Sequence, residues 1–340
     1  MSGNATYRYT NTSVLSVCAV DAPIVKTSAE FDERLAETYE RTGTRSGLLQ
    51  RVAGIEQRRW WPSDVSFTDA AAMAGAKALA ESGVDPARVG LLIDTSVCRE
   101  HLEPSAAVAV HHSLGLSTNC LNFDLANACL GFVNGMQLAA TMIDAGQIDY
   151  ALVVDGEGAQ RTHEATLRRL ESPDATAEDV FTQFATLTLG SGAAAMVLGR
   201  TDQHPEGHRF LGGVSRAATE HHDLCVGDLD HMRTDTKGLL EGGIGLLAAA
   251  FEDARDEFDW ADMDRYVVHQ VSKVHTAAMC TALGVDPDKV PLTFPTRGNI
   301  GPAAVPFTLA TQVDSLQSGD RVLLIGIGSG LNTMLAEIVW

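Results

Sequence analysis

The sequence predicts an α/β protein built from two copies of one unit, stacked as five layers in the order α-β-α-β-α. Two observations lead to this prediction. Wholly apolar runs typical of buried strands alternate with helix-like runs, which favours mixed, mostly parallel sheets covered by helices on both faces. The two halves of the chain also repeat the same order of turns and strands. Two such units placed back to back share a helical layer in the middle.

The repeat is clearest near the end of each half. In both copies a helix end is followed by a turn that contains glycine and aspartate, and then by a wholly apolar strand. Alignment of the turn residues Asp149 and Asp320 carries Cys129 to within one residue of Asn299. Pseudo-symmetry brings equivalent loops of the two copies together, so we expect these two residues to face each other.

An earlier pair of repeated strands aligns His269 with Asp94. The first copy carries extra residues directly after its strand, at positions 98–104. These extra residues form a predicted loop with an acid, Glu103, near its tip. Functional residues of α/β proteins concentrate at such strand ends, which makes this inserted loop a candidate part of a site.

The repeat also divides the chain into an N-terminal half, residues 1–200, and a C-terminal half, residues 201–340. The segment 156–189 fits neither copy, is polar and prone to form helices, and is interpreted as a cap or dimer-contact excursion on the first half. Long apolar helices are expected at residues 69–81 and 242–251, and the prediction places both in the middle layer.

Charge and cysteine usage exclude several classes of partner. The formal net charge is −19 and the pI is about 4.8, a field that repels nucleic acid and anionic membrane surfaces. It also disfavours an acidic carrier protein, unless Arg161, Arg168 and Arg169 form a basic cluster. The cysteines lack metal-ligand spacing, which predicts free thiols in a reducing cytoplasm and no metal site. Neither a signal peptide nor an apolar run of membrane-spanning length is recognisable, so no membrane span is expected.

Cys129 is the strongest candidate for a nucleophile. It lies between a β-rich run at 120–124 and a helix-like run at 130–145. We expect it on the first turn of that helix, where backbone N–H groups and the helix dipole lower the pKa of a thiol and favour the thiolate. The ordinary alternative is a small buried core cysteine.

The second half supplies candidate partners for this thiol. His269 closes a buried apolar strand, and Asn299 lies between glycines that allow close approach to a ligand. Alone, each is more simply a core histidine or a turn asparagine. Their repeat-related positions opposite Cys129 favour a functional interpretation. Ser329 lies in a glycine-rich run followed by a strand instead of a helix, which favours backbone donors to an oxyanion over a dinucleotide site.

Together these residues resemble the thiolase superfamily, in particular its β-ketoacyl-acyl-carrier-protein synthase III branch. Residues 127–136, with Leu-Glu-Pro-Ser at 102–105 before them, are most similar to the OleA family of that branch. OleA enzymes join two fatty acyl-CoA molecules head to head at the start of long-chain olefin synthesis. The resemblance covers essentially the whole chain and implies the thiolase fold, with Cys129, His269 and Asn299 as catalytic residues.

The resemblance implies further roles. Glu103 would be the general base, delivered into the site of the partner subunit in a homodimer. The backbone N–H groups of Cys129 and Ser329 would form the oxyanion hole. Coenzyme A thioesters are the implied substrates, no cofactor is implied, and downstream pathway enzymes would decide the fate of the product. A non-decarboxylating Claisen condensation must remove an α-proton, so it needs a positioned base such as Glu103.

Hydroxymethylglutaryl-CoA synthase, which also pairs a cysteine and a histidine with a glutamate, is a minor alternative, and two others remain open from the sequence. One is a decarboxylating β-ketoacyl-ACP synthase III that uses malonyl-ACP or malonyl-CoA in fatty acid or polyketide synthesis. Such an enzyme generates its carbanion by loss of CO2 and needs no base. The other is a non-catalytic subunit of a paired assembly, which the intact set of Cys129, His269 and Asn299 disfavours.

Overall fold

The computed structural model describes residues 5–340 and contains strands and helices in the predicted alternation. The strands are β1 (Ala5–Arg8), β2 (Thr12–Asp21), β3 (Ile24–Thr27), β4 (Gln57–Trp60), β5 (Leu91–Asp94), β6 (Leu121–Asp124), β7 (Tyr150–Glu157), β8 (Gly192–Arg200), β9 (His208–Ala217), β10 (Cys225–Gly227), β11 (Met232–Thr234), β12 (Arg265–Val268), β13 (Arg321–Gly328) and β14 (Asn332–Val339). The helices are α1 (Ser28–Arg34), α2 (Ala36–Thr42), α3 (Phe67–Ser82), α4 (Ala106–Ser113), α5 (Gly131–Asp144), α6 (Gln160–Leu170), α7 (Ala177–Gln183), α8 (Thr236–Asp253), α9 (Lys273–Leu283), α10 (Phe294–Arg297) and α11 (Ala304–Ala310).

The strands of the two halves lie in mirrored order within one large sheet. The order is β12-β13-β14-β9-β2-β8-β7-β5-β6, and the halves meet where β2 pairs with β9 at Ser13–Arg209 and Val14–His208. Pairing is parallel in β12–β13, β5–β7 and β5–β6, and antiparallel toward the centre. The predicted α/β class with mixed sheets is confirmed, and antiparallel pairs are more numerous than the prediction of mostly parallel pairing implies.

Backbone hydrogen bonds show how the two copies correspond. Strands β7 and β13 begin directly after Asp149 and Asp320, as the sequence alignment of these turns predicts. The N–H of Thr95 donates to Val154 O at 2.9 Å, and the N–H of His269 makes the equivalent bond to Ile325 O at 2.8 Å. His269 therefore corresponds to Thr95, and the predicted alignment of His269 with Asp94 is wrong by one residue.

The helices of the middle layer differ from those predicted. Helix α5 contacts strands of both halves, including β7 and β13, and α11 contacts β2 and β12 as well as α5. The predicted middle helices, α3 and α8, each pack against strands of one half only. The physical reason is visible in α3, where Met73, Lys77 and Ala80 form an exposed stripe, so that only one face of the helix is buried.

The segment 156–189 begins with the last residues of β7 and continues as α6, α7 and a short 3-10 turn. Its apolar side packs against α1, α2 and β4 in a separate core cluster. Arg34 of α1 binds Glu164 and Glu171 of this segment, each at 2.9 Å. These contacts form a cap over the first half, and its role in dimer contact stays a prediction.

Two features of residues 5–340 concern possible membrane and metal partners. In that range the structure contains no helix with both the length and the apolar character needed to cross a membrane. The same residues contain no cluster of three or more histidine, cysteine, aspartate or glutamate side chains arranged to hold a metal ion.

Candidate active site

Cys129 lies in the tight connection between β6 and α5. Helix α5 begins at Gly131, so the thiol precedes the helix instead of lying on its first turn as predicted. Ala128 has a φ of 45°, the left-handed region that L-residues rarely adopt, which marks a strained turn beside the thiol. Gly131 lets this turn pack tightly, because a Cβ there would lie 2.9 Å from Thr95 O. The strand, the turn and the helix together present a partly buried thiol.

The surroundings of Cys129 favour the neutral thiol. Burial raises the pKa of Cys129 to about 12. Negative charge on Glu157 has the next largest effect on this pKa, and Cys225 and Asp155 act in the same direction. The predicted lowering of the cysteine pKa is therefore wrong. Desolvation and two buried carboxyl groups outweigh the helix dipole, whose effect is confined to the terminal turn.

His269 follows β12 directly and is a neutral base. Burial lowers the pKa of His269 to about 4, and His275 acts the same way, while the carbonyl of Gly301 opposes them. Its buried Nδ1 atom has no hydrogen-bond partner among residues 5–340. An unpaired nitrogen on a neutral imidazole can accept a proton, for example from a thiol.

Asn299 is held by its backbone on both sides. Its N–H donates to Thr188 O and its carbonyl accepts from the N–H of Gly190, each at 2.8 Å. Its side-chain Oδ1 accepts from the N–H of Gly301 at 3.0 Å, so the amide NH2 group is left to donate. Gly298 permits this approach, because a Cβ there would lie 2.7 Å from Thr188 O.

The glycine turn that contains Ser329 connects β13 to β14 and packs against the cysteine segment. A Cβ on Gly328 would lie 2.7 Å from Asn127 O and 3.2 Å from Leu130 N. Asn332, at the start of β14, donates from Nδ2 to Asn127 Oδ1 at 3.2 Å. The prediction that a strand follows this turn is confirmed. Ser329 lies next to the segment that carries the thiol, and its role as an oxyanion donor stays a prediction.

Two connections bring the second-half residues to the thiol. Strand β13 binds His269 through Ile325 O and packs through Gly326 against Leu130, which follows Cys129. The short turn Gly301–Ala303, which follows Asn299, packs against both β7 and α5. These contacts bring the segments that carry His269 and Asn299 against the segment that carries Cys129, at the N-terminal end of the central helix α5.

Glu103 lies apart from this cluster on the surface. It is exposed, and it has no hydrogen-bond or ion-pair partner within the part of the chain that the structure describes. Its loop is nevertheless anchored: Glu100 accepts from the N–H of Phe67 at 2.6 Å, and Arg99 lies 3.5 Å from Asp124. The anchored loop presents the Glu103 carboxylate to solvent in the single chain.

Several buried ionisable groups were missed by the sequence analysis. Asp155 and Glu157 lie at the carboxyl end of β7, and Asp94 ends the neighbouring β5. Burial raises the pKa of Asp94 to about 6 and that of Glu157 to about 7. Cys225, on β10, is a second thiol whose charge affects Cys129. The sequence did contain a signal for these buried carboxyl groups: acidic residues stand at the end of a wholly apolar run, and charged side chains are rarely buried.

The fold and the site define an acyltransferase of the thiolase superfamily. The defining features are a duplicated α/β unit, a cysteine before the central helix, a histidine after β12 and an asparagine in a glycine turn. Two family models match the chain: 3-oxoacyl-[acyl-carrier-protein] synthase III over residues 123–217, and the C-terminal part of the same synthase over residues 254–340. The chain belongs to the OleA family of the synthase III branch, on the similarities that follow.

The chain is 49% identical over 336 residues to the acyl-CoA:acyl-CoA alkyltransferase of Xanthomonas campestris, covering 98% of this chain and 99% of the relative. It is 34% identical over 351 residues to the enzyme of that name from Shewanella oneidensis, covering 98% and 100%. A solved structure of a cysteine-to-serine variant of Xanthomonas campestris OleA, with bound lauric acid and lauroyl-CoA, matches with a TM-score of 0.96 and 48% identity, covering 98% and 100%. A β-ketoacyl-[acyl-carrier-protein] synthase III from Rhodospirillum rubrum is 29% identical over 338 residues.

Proposed function

We propose that this chain condenses two fatty acyl-CoA molecules head to head, without decarboxylation, through an acyl-cysteine intermediate. The observation that carries the proposal is the packing of the segments that carry Cys129, His269 and Asn299 against one another at the start of α5. A thiol, a neutral imidazole and a free amide donor are the groups that thioester chemistry requires. Membership of the OleA family supports acyl-CoA as both donor and acceptor.

In the first half-reaction Cys129 attacks the thioester carbonyl of one acyl-CoA. The thiol proton passes to the unpaired nitrogen of His269, and the carbonyl oxygen becomes an oxyanion held by the N–H groups of Cys129 and Ser329. Collapse of the tetrahedral intermediate breaks the bond to coenzyme A, whose sulfur takes the proton from the imidazolium. Acyl-Cys129 and free CoA result, and His269 returns to its neutral form.

In the second half-reaction another acyl-CoA binds with its thioester oxygen against donors from His269 and Asn299. Glu103 of the partner subunit removes an α-proton, and the resulting carbanion attacks acyl-Cys129. The carbon–sulfur bond breaks, and the departing Cys129 sulfur takes up a proton equivalent to the one that Glu103 removed, which regenerates the thiol and the carboxylate. The product is a 2-alkyl-3-ketoacyl thioester, which hydrolysis converts to the β-keto acid. Pathway enzymes that take up this product would then determine its fate.

The cysteines of the chain are free thiols, which supports a reducing, cytoplasmic setting.

Three observations support Glu103 as the base. It is exposed on an anchored loop and has no partner among residues 5–340, so that a second copy of the chain can receive it. The solved OleA relatives include variants at a cysteine, a histidine and a glutamate, the residue types proposed here. The cysteine and glutamate substituted there are separated by the same number of positions as Cys129 and Glu103.

The second candidate is a decarboxylating synthase III, favoured by the two family models. An acidic carrier protein would need a free basic surface. Arg161 binds Asp230 at 2.6 Å, and Arg169 also contacts Asp230 and binds Gln183, so two of the three candidate arginines are already paired with acidic or polar groups. This pairing supports free acyl-CoA over a carrier-bound substrate.

The test is incubation of the purified chain with myristoyl-CoA alone. CoA release together with a β-keto acid, or the ketone formed when that acid loses CO2, is expected without malonyl substrate. Cys129→Ala should release no CoA. Glu103→Ala should release CoA once and form no coupled product, while Glu100→Gln on the same loop should couple normally. Coupling that requires malonyl-CoA or malonyl-ACP would establish the decarboxylating alternative.

Delivery of the base between subunits has its own test. A mixture of Cys129→Ala and Glu103→Ala chains contains heterodimers in which one site has both an intact thiol and an intact base from its partner. Coupling should therefore recover to about a quarter of the wild-type rate in a statistical mixture of dimers. No recovery after subunit exchange, with exchange confirmed by mass spectrometry, would show that the base acts within its own chain.

A further inference from the structure

Glu157 is a buried carboxyl group that the reaction steps above do not use. It ends strand β7 and is only 5% exposed. Its Oε1 accepts from the N–H of Val97 at 2.6 Å, at the root of the loop that carries Glu103, with the N–H of Cys98 at 3.5 Å. Its own carbonyl accepts from Trp61 Nε1 at 2.9 Å. The side chain is therefore fixed, and it holds the beginning of the acidic loop.

The other face of the same carboxyl group meets the asparagine turn. A Cβ on Gly301 would lie 3.3 Å from the Glu157 carboxyl carbon and 3.5 Å from Oε2. The N–H of Gly301 binds Asn299 Oδ1, and the carbonyl of Gly301 acts on His269. One carboxyl group thus lies between the loop that presents the base and the turn that orients the amide and the imidazole.

We propose that Glu157 is a positioning residue for condensation, which fixes the root of the acidic loop against the Asn299 turn and places a titratable charge beside Cys129. The inference rests on the proposed roles of these residues. The position of Glu157 has two consequences. The hydrogen bond to Val97 sets where the loop leaves the chain, and the carboxyl charge acts on the nearby thiol.

The titratable groups around Glu157 lie on β7, on β5, on the acidic loop and on the turn before α5. Asp155 lies on the same strand, Asp94 ends β5, Cys98 follows on the loop, and Cys129 precedes α5. Arg99 of the loop acts on Asp94. Strand β8 faces this end of β7 with glycine and alanines at residues 192–194, and α3 approaches Gly156 and Gly158 through Phe67 and Ala71. Burial raises the pKa of Glu157 to about 7, opposed by hydrogen bonds from the loop.

Two substitutions of Glu157 test its effect on the position of the loop and its charge effect on the thiol separately. Glu157→Gln keeps an oxygen that can accept from Val97 N–H but removes the charge. Glu157→Asp keeps the charge but shortens the side chain by one methylene, which withdraws the oxygen from Val97. Glu100→Gln is the matched control, because Glu100 anchors the same loop from outside, through Phe67.

The first experiment measures the alkylation of Cys129 by iodoacetamide from pH 6 to 10.5, with the modified peptide identified by mass spectrometry. Glu157→Gln should move the profile of Cys129 to lower pH by about one unit, as expected for removal of a unit charge that acts on the thiol. Glu157→Asp and Glu100→Gln should retain the wild-type profile. A Glu157→Gln profile that coincides with the wild type would overturn the electrostatic part of the proposal.

The second experiment compares coupled product with CoA released from myristoyl-CoA. Glu157→Asp should lower this ratio at least tenfold while acylation continues, because the loop root is displaced but the thiol is intact. An unchanged ratio in Glu157→Asp would overturn the positioning part, and this arm remains decisive if Glu157→Gln does not fold. Failure of the proposed function looks different: the wild type would form no coupled product, while the alkylation profiles would still respond to Glu157.

Discussion

Cys129 should react slowly with alkylating reagents in the free chain, although it is the proposed nucleophile. With a pKa of about 12, its thiolate fraction at pH 8 is about one in ten thousand. An ordinary cysteine, with a pKa near 8.5, is ionised to about a quarter at that pH. The more basic thiolate is intrinsically more nucleophilic, which recovers about one and a half orders of magnitude for a pKa difference of about 3.5. The net expectation is alkylation about 30–100-fold slower than that of an exposed thiol.

The assay follows iodoacetamide labelling of the Cys129 peptide from pH 6 to 10.5 by mass spectrometry. The same peptide in the urea-unfolded chain supplies the reference rate, and the Cys225 peptide is quantified separately because its thiol lies nearby. The folded rate should rise about tenfold per pH unit up to pH 10 without a plateau. His269→Ala should leave this profile nearly unchanged but abolish rapid acylation by acyl-CoA, since a neutral imidazole contributes no charge to the free thiol.

A plateau below pH 8, at a rate close to that of the unfolded chain, would refute the reasoning. That result would mean that Cys129 and His269 form a thiolate–imidazolium pair before substrate binds. The buried carboxyl groups would then have to be neutral, and the helix start would have the effect that the sequence analysis assigned to it.

Three further outcomes are expected. Asn299→Ala should lower the condensation rate about 10²–10³-fold by removal of one oxyanion donor, with near-normal CoA release in the acylation step; an equal loss in both steps would contradict this. Gly328→Ala should lower Tm and acylation together, because its Cβ would lie 2.7 Å from Asn127 O; a wild-type Tm would show that the turn relaxes. Glu157 has a pKa of about 7 in the folded chain and near 4.5 in the unfolded chain, so the folded state binds the proton more tightly. This contribution to stability is fully present below pH 4.5 and is lost as the pH rises through 7. Glu157→Gln should therefore reduce the change of Tm between pH 4.5 and 7, and an unchanged slope would assign that change to other groups.

The duplicated fold, and the packing together of the segments that carry Cys129, His269 and Asn299, could be predicted because equivalent strands of the two halves share a sequence pattern. The turns at Asp149 and Asp320 precede equivalent strands in the structure, as aligned. The shift of His269 by one position has a physical cause. Short apolar strands fit either alignment equally well, and only the hydrogen bonds from Thr95 and His269 to the neighbouring strands fix the register.

Layer assignment and electrostatics could not be predicted for a different reason. Helices α3, α5 and α8 all have apolar sequences. Their layer depends on whether strands of one half or of both halves pack against them. The helix start at Cys129 is visible in the sequence, whereas Asp155 and Glu157 lie on a later strand, β7, which pairs with β5 and packs against α5. A pKa depends on such through-space neighbours, which spacing along the chain does not reveal.

In the proposed mechanism, the buried carboxyl groups would cause this thiol to be activated by the substrate and not in advance. A preformed ion pair would place a new anion beside Glu157 and Asp155 in a desolvated site, where burial disfavours both charges of the pair. A neutral pair of Cys129 and His269 would avoid that cost in the free chain. In the proposed first half-reaction, the proton would move as the negative charge passes from sulfur to an oxyanion held by backbone donors. The low pKa of His269 would then favour return of this proton to the departing CoA sulfur, so that one neutral imidazole would serve as base and acid in the same half-reaction.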